Sequence, residues 1–257
     1  MKLNSNKQRR KPRHFIPNIL TLLNMFLGFL SISLILNDQP LRAGVFIIIA
    51  GSFDVFDGKI ARMLGIESRF GVEFDSMADT VSFCVVPSVL IYSLYVNGLP
   101  PLLGGFIAFI PLMFGTIRLA KFNIEQELEK PKSYTVGLTT PIATITLFSF
   151  VFFNHKIDGD FGDPRTALML AAALGILMLS PIHFVKFPLF SFKSGRTNSI
   201  LLIGFILSMI GMAIWQGYFL LPLVSIYIGW NIINWLINSH RFNSDSKINL
   251  SVSEIYL

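Results

Sequence analysis

Cysteine is almost absent from the 257-residue chain. Cys84 stands alone, so no intramolecular disulfide can form, and its apolar surroundings read as an inert packing position. Charge is scarce as well. Charged residues make up 14 % of the chain against about 25 % in an ordinary soluble domain, while 53 % of it is hydrophobic and the mean hydropathy is +0.62. A soluble globular domain is thereby excluded. No P-loop and no dinucleotide glycine fingerprint occurs, which excludes an ordinary NTPase or Rossmann enzyme. Internal repeats and low-complexity tracts are also missing. A net charge of +6 is of the sign that nucleic acid attracts, but Lys and Arg collect at the ends of apolar runs rather than along one face. That placement belongs to juxtamembrane segments, so nucleic acid is not expected as a partner.

What the chain does have is long apolar runs, which predict an all-α, polytopic transmembrane bundle of about eight spans. They fall at 16–36, 41–63, 75–96, 100–120, 137–153, 165–185, 199–215 and 217–238. The first run comes after a basic stretch, but it extends to Leu36 without a small-residue cleavage site and reads as a span rather than a signal peptide. The last two are separated by little more than Gly217, so seven spans is the alternative count. Residues 1–15 form a basic N-terminal segment, 16–238 a single membrane domain and 239–257 a tail. Short connections such as 37–40 and 97–100 force antiparallel neighbours. With both termini placed inside, all of the 21 Lys and Arg except Arg42, Lys156 and Arg165 face the cytoplasm. The positive-inside rule is satisfied by that topology in a multi-pass protein of the cell membrane.

Four carboxylates interrupt this apolar background. Asp54 and Asp57 lie at i, i+3 near the end of the second run, and Asp75 and Asp79 at i, i+4 at the start of the third. Either spacing puts two side chains on one helix face. A helix–turn–helix therefore aims four anions at one volume, at the cytoplasmic boundary, where they repel unless a cation holds them. Hard oxygen ligands without a His or Cys cluster favour one or two Mg²⁺ or Mn²⁺ ions. Gly58 leaves room for a ligand beside Asp57, Ala61 is small on that face, and Arg62 is placed to grip a phosphate. The combination describes a diphosphate site. A cation pathway through a transporter is the alternative, although that would stagger carboxylates across the membrane depth. In the first run Asn18, Thr21, Asn24 and Gly28 share a stripe, which suits either interhelical hydrogen bonding or the lining of a pocket.

Residues 54–79 read D-x2-D-G-x2-A-R-x8-G-x3-D-x3-D and so resemble the signature of the CDP-alcohol phosphatidyltransferases at every fixed position. The resemblance implies a helical membrane enzyme with two divalent metal ions that joins an alcohol to a CDP-linked lipid and releases CMP. It implies that Asp54, Asp57, Asp75 and Asp79 are the metal ligands and that Asp79 is also the general base. It further implies that Asn18, Thr21, Gly58, Arg62 and Ser68 contact the nucleotide and its phosphates.

The flanks are similar to the phosphatidylserine synthase branch of that family. Ser68 to Phe83 resembles S-x-F-G-x3-D-S-x-A-D-x-x-S-F, and Arg118 to Asn123 resembles R-L-A-R-F-N with Lys121 in place of the second Arg. Residues 137–141 resemble G-L-P-x-P with Thr139 for the first Pro, and residues 180–193 resemble a further segment of the branch. The implied reaction takes CDP-diacylglycerol and L-serine to phosphatidylserine and CMP. Glycerol 3-phosphate or an inositol phosphate is the alternative acceptor, and a two-step route stays open beside direct attack. A serine carboxylate would need a cation, for which Arg118 is the first candidate and Lys121 or Asn123 the second. Membrane anchoring is the competing role for Arg118 and Lys121. The bilayer is the expected surround, and a homodimer is left open.

Overall fold

The structure is a computed structural model and describes residues 15–64, 68–128, 134–185 and 217–253. Helix α1 covers Phe15–Leu36 and α2 covers Pro40–Leu64. Between them Asp38 takes a positive φ of 58°, and Gln39 N donates to Leu34 O at 2.9 Å, closing the end of α1. Pro40 then opens α2, where its missing N–H costs nothing. The turn folds the two helices back on each other, and they form the most extensive helix pair among the described residues.

Helix α3, Arg69–Thr80, begins at Ser68, whose Oγ accepts from Gly71 N at 3.0 Å as an N-cap. A π-helical turn, Val81–Val85, joins it to α4, Val86–Tyr95. The expected span starting at residue 75 therefore extends back to the cap. The run expected at 100–120 is divided into α5, Pro101–Ala108, and α6, Ile110–Leu128. The break at Phe109 comes from Pro111, which has no N–H for the preceding turn and crowds the carbonyl four residues back.

Helix α7, Thr140–Ile157, is well buried and supplies Phe148 and Val151 to the core. Helix α8 covers Pro164–Leu179, capped by Asp163. Its expected continuation to 185 does not form. Ser180 precedes Pro181 and is extended, as a residue before proline tends to be. The chain instead enters a short strand β2, His183–Val185, antiparallel to β1, Tyr134–Val136, with Thr135 opposite Phe184. This small sheet was not foreseen in an all-α reading. The span expected at 199–215 lies outside the described residues. Helix α9, Leu220–Ser253, runs past the expected boundary at 238.

Among the described residues four helical stretches are long and apolar enough to cross a membrane: Pro17–Leu36, Arg69–Tyr95, Pro101–Ile124 and Leu220–Ile237. The 25 residues of α2 are long enough, but Asp54, Asp57 and Lys59 interrupt their apolar character. Phe83, Phe148, Ile47, Leu90 and Phe184 are fully buried between the helices. Phe29, Leu102, Phe106, Trp230 and Ile237 point outward, the inverse of a soluble surface and the pattern a lipid environment calls for.

Candidate metal centre

Local periodicity and one helix crossing build the centre. Asp54 and Asp57 ride on the last turns of α2, and Asp75 and Asp79 on the inner face of α3. One carboxylate oxygen from each of Asp54, Asp57 and Asp75 lies within 4.8 Å of the other two. Asp57 is 2 % exposed and Asp79 9 %, while Asp54 and Asp75 are half-buried. Oδ1 of Asp75 is buried with no hydrogen-bond partner among the described residues. Carboxylates at this separation, one fully buried and another with an unanswered oxygen, fit a hard divalent cation in both charge and donor type. Asp79 stands just outside the trio.

Neighbouring groups orient these ligands. Thr21 Oγ1 on α1 donates to Asp57 Oδ2 at 2.9 Å and also lies 3.1 Å from Pro17 O. The backbone N–H of Gly58 donates to Asp57 Oδ1. Asn24 Nδ2, one turn along α1 from Thr21, donates to Asp79 Oδ1 at 3.4 Å. Half of the predicted α1 stripe thus grips the carboxylates directly. The family resemblance places Thr21 beside the nucleotide, and the stripe by itself leaves Asn24 between interhelical bonding and the pocket. The only clue to the link in the sequence is that the two residues share a face with one another.

Asn18 is half-buried, and its Oδ1 lies 4.0 Å from the position a Cβ on Gly71 would occupy, so it sits against the first turn of α3. Gly58 is half-buried beside Asp57. The side chain of Arg62 lies outside the described residues. Ser68 is exposed, and its hydroxyl serves the α3 cap.

Arg118 on α6 is 7 % exposed, within 3.4 Å of Thr140 Oγ1, with its guanidinium 5.5 Å from the centre of the Phe122 ring. Its charge acts on Asp54 and Asp79, so it is a cation of the same site. It also lines a shallow cleft with Lys121, Phe122, Val136 and Ser180. Lys121 is exposed at that cleft. Asn123 is engaged elsewhere: its Nδ2 donates to Ser76 Oγ at 2.8 Å, and that hydroxyl is 3.2 Å from Asn123 Oδ1. The pair ties α6 to α3 beside Asp75, a link the sequence did not reveal.

The β1–β2 pair forms the far wall of the cleft through Val136. Gly137, at φ 76°, lets the chain turn against α8, where an added Cβ would collide with Met178 O.

The chain has recognisable relatives. Residues 14–227 match the family model described as CDP-alcohol phosphatidyltransferase. A CDP-diacylglycerol–serine O-phosphatidyltransferase of Helicobacter pylori is 32 % identical over 232 residues, covering 88 % of this chain and 92 % of that protein. One of Bacillus subtilis is 35 % identical over 188 residues, 72 % of this chain and 99 % of the relative. An archaetidylserine synthase of Methanothermobacter thermautotrophicus is 33 % identical over 178 residues, covering 66 % and 70 %.

Proposed function

The chain belongs to the CDP-alcohol phosphatidyltransferase family, and we propose that within it the protein transfers a phosphatidyl group from CDP-diacylglycerol to L-serine, giving phosphatidylserine and CMP. The family is membrane-embedded and divalent-metal dependent in general. The observation that carries the reading is the trio Asp54, Asp57 and Asp75 within 4.8 Å of one another. Serine as the acceptor rests on the relatives, whose names share it across bacterial and archaeal lipids.

In this reading Asp54, Asp57, Asp75 and Asp79 hold two Mg²⁺ or Mn²⁺ ions. When bound, they neutralise the diphosphate and stabilise the leaving phosphate. Asp79 takes the proton of the serine hydroxyl while that oxygen forms a bond to the lipid-side phosphorus. The bond from this phosphorus to the CMP oxygen breaks, and CMP carries away the electron pair. Positioning is the main contribution of the protein to such a transfer. Asn18, Thr21, Gly58, Arg62 and Ser68 surround the CDP group, with Thr21 acting through Asp57 and Ser68 by setting the first turn of α3. Arg118 receives the serine carboxylate from the cleft, with Lys121 at its rim. Asn123 contributes by holding Ser76, and therefore Asp75, in place.

The eight-span topology completes the reading, with both termini and the site cytoplasmic, where water-soluble serine reaches the membrane-held lipid. A homodimer is compatible with the outward apolar faces. The test is an acceptor screen on the purified chain, offering CDP-diacylglycerol with serine, glycerol 3-phosphate, inositol phosphate or choline and monitoring CMP release. Release with serine alone supports the reading; release with a phosphorylated acceptor but not with serine overturns it.

A further inference from the structure

Asn24 is fully buried in the middle of α1, where an amide among apolar helices is costly unless it is bonded. Its Nδ2 reaches Asp79 Oδ1 at 3.4 Å, and its Oδ1 is buried without a partner among the described residues. The residue thus tolerates an unsatisfied oxygen in order to present its N–H groups to one carboxylate. Interhelical hydrogen bonds of this kind add little to membrane-protein stability, so packing alone gives a weak reason for the arrangement.

The backbone around this contact is clamped. The π-turn Val81–Val85 starts two residues after Asp79. Such a turn adds a residue to the helix and rotates the turns before it by about 100° relative to the turns after it. Asp75 and Asp79 are thereby aimed at the metal centre while α4 aims Val86 and Leu90 at the core. Three helices hold the turn. Ser82 Oγ donates to the backbone carbonyl of Asn24 itself at 3.0 Å. Ser82 also sits over Gly28, where an added Cβ would lie 2.9 Å from Ser82 Cα. Thr144 Oγ1 on α7 donates to Phe83 O at 2.8 Å, answering a carbonyl in the turn. On α6, Gly115 gives room to Cys84, whose Cβ would be 3.2 Å from a Cβ there.

We propose that Asn24 is a positioning residue for Asp79: its amide, held in register by the π-turn, fixes one oxygen of the carboxylate so that the other meets the acceptor hydroxyl. The inference rests on the reading of Asp79 as the base. It assigns to Asn24 an effect on turnover rather than on binding of either substrate.

The experiment uses the full chain purified in detergent, with Asn24→Leu, which keeps the volume and removes the amide. Asn24→Ser is the second variant, because a short hydroxyl preserves a polar group but cannot reach Asp79. For each, kcat and both KM values are measured with CDP-diacylglycerol and L-serine, and Mn²⁺ binding is measured separately by electron paramagnetic resonance. The expected result is a kcat lowered about tenfold to a hundredfold at saturating Mn²⁺, with both KM values within about twofold of the parent. A parental kcat in either folded variant overturns the inference, as does a kcat that saturating Mn²⁺ restores to the parental value. Asp79→Asn is measured alongside. If it is inactive while both Asn24 variants turn over normally, only this inference falls; if it is active, the base assignment falls and this inference with it.

Discussion

Thr21 on α1 and Asp57 on α2 are joined by a hydrogen bond of 2.9 Å between Oγ1 and Oδ2, across a turn that folds the two helices together. With the Gly58 N–H on Oδ1, both oxygens of this carboxylate are oriented by protein donors. Partners that orient a metal ligand typically matter to metal affinity by about 10–100-fold. Thr21→Val keeps the shape and removes the donor. Mn²⁺ affinity, titrated by electron paramagnetic resonance, is expected to fall by about tenfold. Unchanged affinity would detach Thr21 from the metal centre.

Asp75 carries an oxygen with no hydrogen-bond partner among the described residues. Asp75→Asn removes the charge at nearly constant volume, so Mn²⁺ binding and CMP release should both be lost. Chelation with EDTA should abolish CMP release in the parent, and added Mn²⁺ or Mg²⁺ should restore it. Activity that survives the chelator would remove the metal from the reaction.

Asp79→Asn separates base from ligand. A positioned general base contributes about 10²–10⁴-fold, so kcat should drop within that range even at saturating metal. A near-parental rate of CMP release would assign the proton to another group.

Arg118 is buried beside Thr140 and Phe122 and opens onto the cleft. Arg118→Ala is expected to raise KM for serine at least about tenfold more than KM for the CDP-lipid, the loss of a charge-assisted carboxylate contact. Arg118→Lys should restore little, because an ammonium lacks the planar fork. Equal shifts in the two KM values would instead make Arg118 a packing and charge-balancing residue.

Asp163 caps α8 through Thr166, accepting from its N–H and its hydroxyl at 3.0 Å each. These two bonds, the backbone one first, hold its carboxyl below the ordinary value of 3.8. Stability from the cap is therefore full above the unfolded-state value and is lost as pH falls through the folded-state value. Asp163→Ala should lower the Tm at neutral pH, and the gap from the parent should close in acid. A gap independent of pH would assign the loss to something other than the carboxylate.

Much of the centre was legible before any fold was known. Asp54 with Asp57 and Asp75 with Asp79 are local pairs, and helical periodicity suffices to put each on one face. The apolar runs and the metal class come from residue type in the same way. The expectation that Gly58 and Arg62 serve a phosphate likewise comes from residue type and spacing alone.

The α1 contacts are of another kind. Thr21 meets Asp57 across 36 positions and Asn24 meets Asp79 across 55, and which side chain meets which depends on how the helices cross. The π-turn depends on Ser82, Phe83 and Cys84 finding partners on α1, α7 and α6 at once. The β1–β2 pair joins residues that lie at or beyond the ends of the apolar runs, where hydropathy carries no pairing signal. Local periodicity determined by itself that Asp54 shares a helix face with Asp57 and Asp75 with Asp79, because spacing along one helix sets a face. Only the packing of separate helices decided that Thr21 meets Asp57 and Asn24 meets Asp79, because side chains distant in sequence have no fixed relation until the helices cross.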